Sequence, residues 1–159
     1  MTTQPSPVAK TGENFTVADV GEFSQLHQYV FEHHKKGVAI EGKIFLKQLL
    51  SLTSAEVSLN TLSPKTSIPF YHKHKLNEEI YIFVRGVGEF QVDEQVFTVS
   101  EGTVVRVAPD GVRCIRNTSD VEGLNYIVIQ SQVNSFLDST IADGIGVPKQ
   151  VSWEDKQKI

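Results

Sequence analysis

Between about residues 42 and 132 the chain is written mostly in short runs of alternating apolar and polar residues. A period of two is the signature of strands, because successive side chains point to opposite faces. AEVSLNTLS (55–63) is the plainest case, and GKIFLKQLL (42–50) precedes it as a further strand-like run. Then follow Ile68–His72, Glu79–Val84, Gly88–Val92, Gln95–Val99, Val104–Ala108, Val112–Asn117 and Leu124–Ser131. Turn formers separate them: Leu76-Asn77, Gly86-Val87-Gly88, Asp93-Glu94, Glu101-Gly102, Pro109-Asp110-Gly111 and Thr118-Ser119-Asp120. Closely spaced short strands with no helical stretch between them predict an all-β sandwich or small barrel.

The ends are less regular. Residues 1–14 are polar with two prolines and predict a disordered or loosely packed N-terminus. In VGEFSQLHQYVFEHHKK (20–36), Phe23, Leu26 and Val30 keep helical spacing and Gly37 would stop a helix. Tyr29-Val30-Phe31 reads equally well as a short strand, so a helix or turn and a strand both stay open there. The tail from Asp143 to Ile159 is polar apart from Trp153 and predicts packing on the outside or against a partner. With no repeat and no linker, residues 15–159 read as one domain with its barrel core at about 42–132.

One strand departs from simple alternation. Glu79, Tyr81 and Phe83 share one face, while Ile80, Ile82 and Val84 occupy the other. A strand apolar on both faces is covered on both, and Val104, Val105 and Val107 repeat the pattern. A second subunit is the simplest cover, so the pattern predicts a homodimer.

Composition narrows the class. A net charge of −4 with scattered basic residues gives no reason to expect nucleic acid or an anionic membrane as partner. No run reaches the roughly 20 apolar residues of a membrane span. The single cysteine, Cys114, allows no internal disulfide, and the N-terminus carries no apolar leader, so the expected setting is the cytoplasm. Asn117-Thr118-Ser119 matches a glycosylation sequon, but in that setting it reads as a turn.

The chemistry concentrates in PFYHKHKLNEEIYIFVRG (69–86). His72 and His74 are two apart, so on a strand they present two imidazoles on one face. Glu79 opens the next strand and would bring a carboxylate into the same interior. Two histidines and one carboxylate with open positions is the facial arrangement of mononuclear non-haem iron, tolerated by manganese, nickel and zinc. The same stretch also fits a charged turn between two strands. His27, His33 and His34 read as surface residues beside Lys35-Lys36.

The spacing of this stretch resembles the cupin superfamily. His72-Lys73-His74, four residues, Glu79, six residues and Gly86 match its first motif, and the glycine count selects Glu79 rather than Glu78. The second motif is present in outline as Gly102, Pro109-Asp110-Gly111 and Asn117, but its histidine is missing. Counting forward from Gly111 lands on Cys114, and counting back from Asn117 lands on Arg113. Strand parity with Asn117 favours Arg113 facing inward, where a guanidinium would repel a cation and suit an anion; Cys114 inward would offer a thiolate.

The resemblance implies a double-stranded β-helix, or jelly-roll barrel, binding a divalent transition metal (Fe, Mn, Ni or Zn) through His72, His74 and Glu79. Arg113 or Cys114 would be a fourth ligand or substrate anchor, and Tyr81, Phe83 and Asn117 would form the pocket wall. A small polar or anionic molecule is the expected partner. A metal-dependent oxygenase, isomerase or decarboxylase fits, with Glu78 at the rim as a candidate base. A non-catalytic small-molecule or metal-binding module also fits, as does a metal-free barrel whose Arg113 binds an anion.

Overall fold

A computed structural model describes residues 6–137, 142–154 and 156–157 of the chain. Two strands, β1 (Ala9–Thr11) and β2 (Thr16–Ala18), pair as a small antiparallel hairpin. A 3-10 helix, Phe23–Gln28, leads into β3 (Val30–His33), which pairs with β4 (Val38–Glu41). After β5 (Lys43–Phe45) comes a single helical turn, α1 (Lys47–Leu50). The barrel continues with β6 (Glu56–Leu62), β7 (Asn77–Arg85), β8 (Val87–Val92) and β9 (Gln95–Ser100). It closes with β10 (Val104–Val107), β11 (Arg113–Asn117) and β12 (Leu124–Gln132). No described helix is long and apolar enough to cross a membrane.

Two antiparallel sheets face each other. One has the order β10-β7-β12-β6-β5 and the other β11-β8-β9. Between them lie Leu62, Tyr81, Phe83, Phe90, Val99, Val107, Ile115, Leu124, Tyr126 and Val128. These are alternate residues of their strands, as burial of one face requires. The all-β barrel expected from the alternation is what forms.

Several local expectations change. The segment 20–36 uses both options: helical spacing closes one 3-10 segment, and β-branched and aromatic residues then make a strand. The run 42–50 is a strand only to Phe45. KQLL then turns helical, capped by Ser51 in the left-handed region. Ile68–His72 forms no regular strand; it follows β11 through isolated bridges at Ser67–Arg116 and His72–Arg113. Within the stretch 1–14, residues 9–11 pair in the β1–β2 hairpin, and residues 1–5 lie outside the described part. In the C-terminal tail Trp153 is 88% exposed, so its ring does not pack on this chain's barrel. Residues 155, 158 and 159 of that tail also lie outside the described part.

Two glycines in turns differ instructively. Gly86, between β7 and β8, has φ +88°, and a Cβ there would stand 2.4 Å from the Gly123 carbonyl oxygen. Gly102 has φ +84° but nothing within 4 Å of such a Cβ. Alanine at Gly102 meets only the left-handed penalty of about 1–2 kcal/mol, whereas alanine at Gly86 must also displace backbone. Thermal unfolding should therefore show a clearly larger loss of Tm for Gly86→Ala than for Gly102→Ala. Equal losses would contradict this account of the β7–β8 turn.

Candidate metal centre

Glu79 stands near the start of β7 and turns into the barrel, where only 2% of its surface is exposed. The two histidines come from the irregular segment beside β11. Backbone bonds hold that segment: Ile68 N–H donates to Ile115 O (3.0 Å), Arg113 N–H to His72 O (3.1 Å) and His74 N–H to Pro109 O (3.0 Å). This pinning brings His72, His74 and Glu79 together, with one ligand atom of each within 4.8 Å of the others. A first-row divalent ion at about 2.0–2.2 Å from each ligand needs them roughly 3–4 Å apart, a distance that side-chain rotation supplies.

The carboxylate is used asymmetrically. Oε2 accepts from the Tyr81 hydroxyl (2.6 Å), Arg113 Nε (3.0 Å) and Arg113 Nη2 (2.8 Å). It also lies 3.6 Å from His72 Nε2. Oε1 faces His74 Nε2 at 3.0 Å, yet that nitrogen makes no aligned hydrogen bond, and neither does His72 Nδ1. Both nitrogens are buried. Buried polar atoms without partners are uncommon and call for an explanation. Two imidazoles grouped with a carboxylate, one of them with its bare Nε2 beside Oε1, are a donor set that suits a divalent cation. The residues fit the metal that the resemblance implies.

Arg113 is 1% exposed and points inward, as parity with Asn117 anticipates. It does not reach into the cavity as a free cation: two N–H groups bind Glu79 and Nη1 donates to the Gly111 carbonyl (2.7 Å). Cys114 has the opposite parity on β11 and its Sγ donates to the Ile68 carbonyl (3.2 Å), although the residue still borders the cavity. Burial raises the pKa of that thiol. Cys114 is not among the residues grouped around the candidate metal position.

Of the three expected wall residues, only Tyr81 lines the cavity. Phe83 is packed into the core, and Asn117 serves the turn after β11, donating to Leu62 O and Glu122 O and accepting from Ser119 N–H. Glu78 faces outward and pairs with Arg106. That position removes it as a base for the interior.

The cavity measures about 410 Å³, and the β3–β4 hairpin supplies much of its wall. Phe31, His33, Lys36 and Ile40 come from that hairpin and its turn, and Lys43 comes from β5. His33, read from the sequence as a surface residue, is half-buried there and packs edge-on against Phe70 (5.4 Å). Phe70 in turn meets His72 (6.1 Å), and Phe31 meets Phe45 (4.9 Å), so a chain of rings runs from the hairpin to the candidate ligands. Hairpin pairing with a distant wall leaves no short-range signal. The one hint was Val30, Phe31 and His33 within a strand-forming run.

Burial alone would raise the pKa of Glu79. Contacts with His72, His74 and Tyr81, together with the Arg113 charge, outweigh it and hold the carboxyl well below the usual carboxylate range. The metal-free folded protein therefore binds this proton less readily than the unfolded chain. Stability from Glu79 is complete above the ordinary carboxylate pKa of about 4.3 and is lost as pH falls below it. Urea unfolding of the metal-free protein should show a steep acid loss in wild type and a shallower one in Glu79→Gln. The variant should also lose roughly 3–5 kcal/mol at neutral pH, because Arg113 is left buried and unpaired. Identical acid limbs would refute this assignment.

The comparisons with known proteins agree with the geometry. A family model described as a cupin domain matches residues 58–129. A cupin protein from Bacteroides fragilis is 37% identical over 69% of this chain and 92% of its own, with a TM-score of 0.64. A protein from Photorhabdus luminescens is 14% identical, covers 66% of this chain and 82% of its own, and has a TM-score of 0.54. A cupin 2 conserved barrel domain protein from Salinispora arenicola is 21% identical, covers 57% and 75%, and has a TM-score of 0.51; these last two likenesses are of fold alone. No curated protein sequence matches the chain. With the barrel, the inward Glu79 and the matching relative together, the chain belongs to the cupin superfamily.

Proposed function

We propose that the barrel holds a divalent transition metal through His72, His74 and Oε1 of Glu79, facing a small polar or anionic molecule in the cavity. The observation that carries this reading is the grouping of one ligand atom each from His72, His74 and Glu79 within 4.8 Å, with the buried, unpartnered His74 Nε2 beside Glu79 Oε1. Iron, manganese, nickel and zinc suit two imidazoles and a carboxylate. With three protein ligands, positions remain open for a bound molecule, and the metal would supply either Lewis-acid polarisation or activation of dioxygen. An oxygenase, an isomerase and a decarboxylase all fit those open positions, since a fold does not choose the reaction.

The chain's own residues set the limits of that chemistry. Tyr81 and Arg113 hold Glu79 in one orientation, and the ring-lined wall excludes water from the body of the ligand. Glu79 is the one carboxylate among the described lining residues, and the Tyr81 hydroxyl is committed to it. The lack of a free carboxylate favours a second reading, a non-catalytic binding module, over carboxylate-based proton transfer, with His33 and Lys43 the other candidate bases on the wall.

Oligomeric state enters the proposal through the outer face. Val104, Ile82, Ile127, Leu59 and Ile44 stand opposite one another across all five strands of the larger sheet. Val104 is 62% exposed in the single chain. A second copy laid against this row would complete its burial, and a reducing cytosol suits the lone thiol of Cys114.

Elemental analysis after reconstitution should find close to one metal per chain in wild type and little in His72→Ala/His74→Ala. Equal metal in both proteins would defeat the assignment. Uptake should also decline on acidification, as protons compete for the imidazole nitrogens. Sedimentation equilibrium at micromolar concentration should give a dimer, and Val104→Lys with Ile82→Lys should shift it towards monomer. A wild-type monomer would sink the proposed pairing.

A further inference from the structure

Among the described residues, Lys43 is the one charged side chain of the cavity wall that is held inside the barrel without a charged partner. It projects inward from β5 directly opposite Asn60. Its Nζ donates to Asn60 Oδ1 (2.8 Å) and Ser58 Oγ (3.2 Å) and stands 4.6 Å from the Phe45 ring centroid. All three partners are neutral, and no described carboxylate lies within ion-pair distance. Asn60 is itself fixed, donating through Nδ2 to Ser58 O and Oγ. The ammonium is therefore aimed by a built polar cluster. Burial lowers its pKa to about 8 although Glu79 and Glu56 act to raise it, so it keeps most of its charge at neutral pH.

The rest of the cavity has the same sign. Its lining holds Lys36, Lys43, Lys73 and Arg113 against the single carboxylate Glu79, in a chain whose net charge is −4. Arg113 and Glu79 neutralise each other. Lys73 reaches Asp110 outside (3.2 Å), and Lys36 lies over the Phe70 ring at 4.4 Å. An excess of positive charge focused in a low-dielectric concavity selects an anion. Much of the remaining wall is apolar: Phe31, Ile40, Phe45, Phe70 and Phe90 face the same space. One ammonium in such a wall suits a carboxylate more than a phosphate, which calls for several donors or a guanidinium fork. Lys43 Nζ is held over β6, two strand spacings from β7, on the order of 10 Å of sheet, so a molecule touching both ends suits an organic body of several atoms.

We infer that Lys43 anchors the carboxylate of a small organic acid whose apolar body lies against the ring-lined wall and whose far end reaches His72, His74 and Glu79. This deepens the reading of the barrel as a metal and small-anion site, and it rests on that reading for the far end only. Lys43 acts as a specificity-determining contact: it would distinguish an acid from its neutral counterpart of the same shape.

Calorimetric titration of the full chain, metal-free and zinc-loaded, with 3-phenylpropionate and with its neutral analogue 3-phenylpropanamide tests it. The acid should bind the metal-free wild type, and Lys43→Met should weaken it by about tenfold or more, the loss expected for a charge-assisted hydrogen bond. Lys43→Arg should keep most of the affinity, and the amide should bind wild type and Lys43→Met alike. Zinc stoichiometry should be the same in all three proteins. Equal acid affinity in wild type and Lys43→Met, equal binding of acid and amide to wild type, or no acid binding at all would each overturn the inference. If Lys43→Met proves unfolded by circular dichroism, the acid-against-amide comparison in wild type and Lys43→Arg decides. Failure of zinc uptake in wild type would defeat the metal assignment alone, because the Lys43 contact is read in metal-free protein.

Discussion

The ion pair between Glu79 and Arg113 is the constraint on which the interior depends. Glu79 belongs to the five-stranded sheet and Arg113 to the three-stranded one, so their bond ties the two sheets together through the barrel. Both side chains are almost fully buried. Taking two charges out of water costs several kcal/mol each, and the pair is tolerated only because its hydrogen bonds are nearly complete. Tyr81 and the Gly111 carbonyl finish that set. A hydrophobic pair would hold the sheets together as well, but it would not fix a carboxylate oxygen in one direction.

That direction matters for the histidines. With Oε2 occupied by three donors, Oε1 is the oxygen left to face His74. The backbone of Arg113 exchanges hydrogen bonds with His72 across an isolated bridge, so one residue positions the carboxylate by its side chain and a histidine by its main chain. The segment carrying the histidines is irregular for the same reason. It must leave strand geometry to turn both rings towards β7 while keeping its few bonds to β11.

What was legible in the sequence was local. Strands announced themselves by alternation, and His72, His74 and Glu79 by spacing within a single hairpin-length stretch. Parity over the five residues of β11 also sufficed to send Arg113 inward, with Cys114 at the opposite parity, because that strand is regular. Alternation does not say which face is inside. In β6 it is Ser58 and Asn60 that are buried, while Val57 and Leu59 lie on the outer face. Phe83 shares the inward face with Glu79 and Tyr81, but it sits too far along β7 to reach the cavity and fills the core. Lys43 and the β3–β4 hairpin escaped notice because their partners are long-range: a lysine in an apolar run looks solvated until Asn60 is seen opposite it.

The neutrality of the Glu79–Arg113 pair has a consequence for how the site fills. A carboxylate that already has an internal counter-ion contributes almost no net charge towards an incoming cation. Two positive charges placed there would be left uncompensated in a cavity that already carries a half-buried ammonium, and such a deficit is unfavourable away from water. An anion in the same cavity removes it. Metal and anion, if both bind as proposed, would be linked ligands: each would tighten the other's binding by one shared coupling free energy, reciprocal by thermodynamic necessity. An arginine that seals the carboxylate, where the family's motif carries a histidine, would then make the strength of metal binding, rather than its stoichiometry, depend on a bound anion.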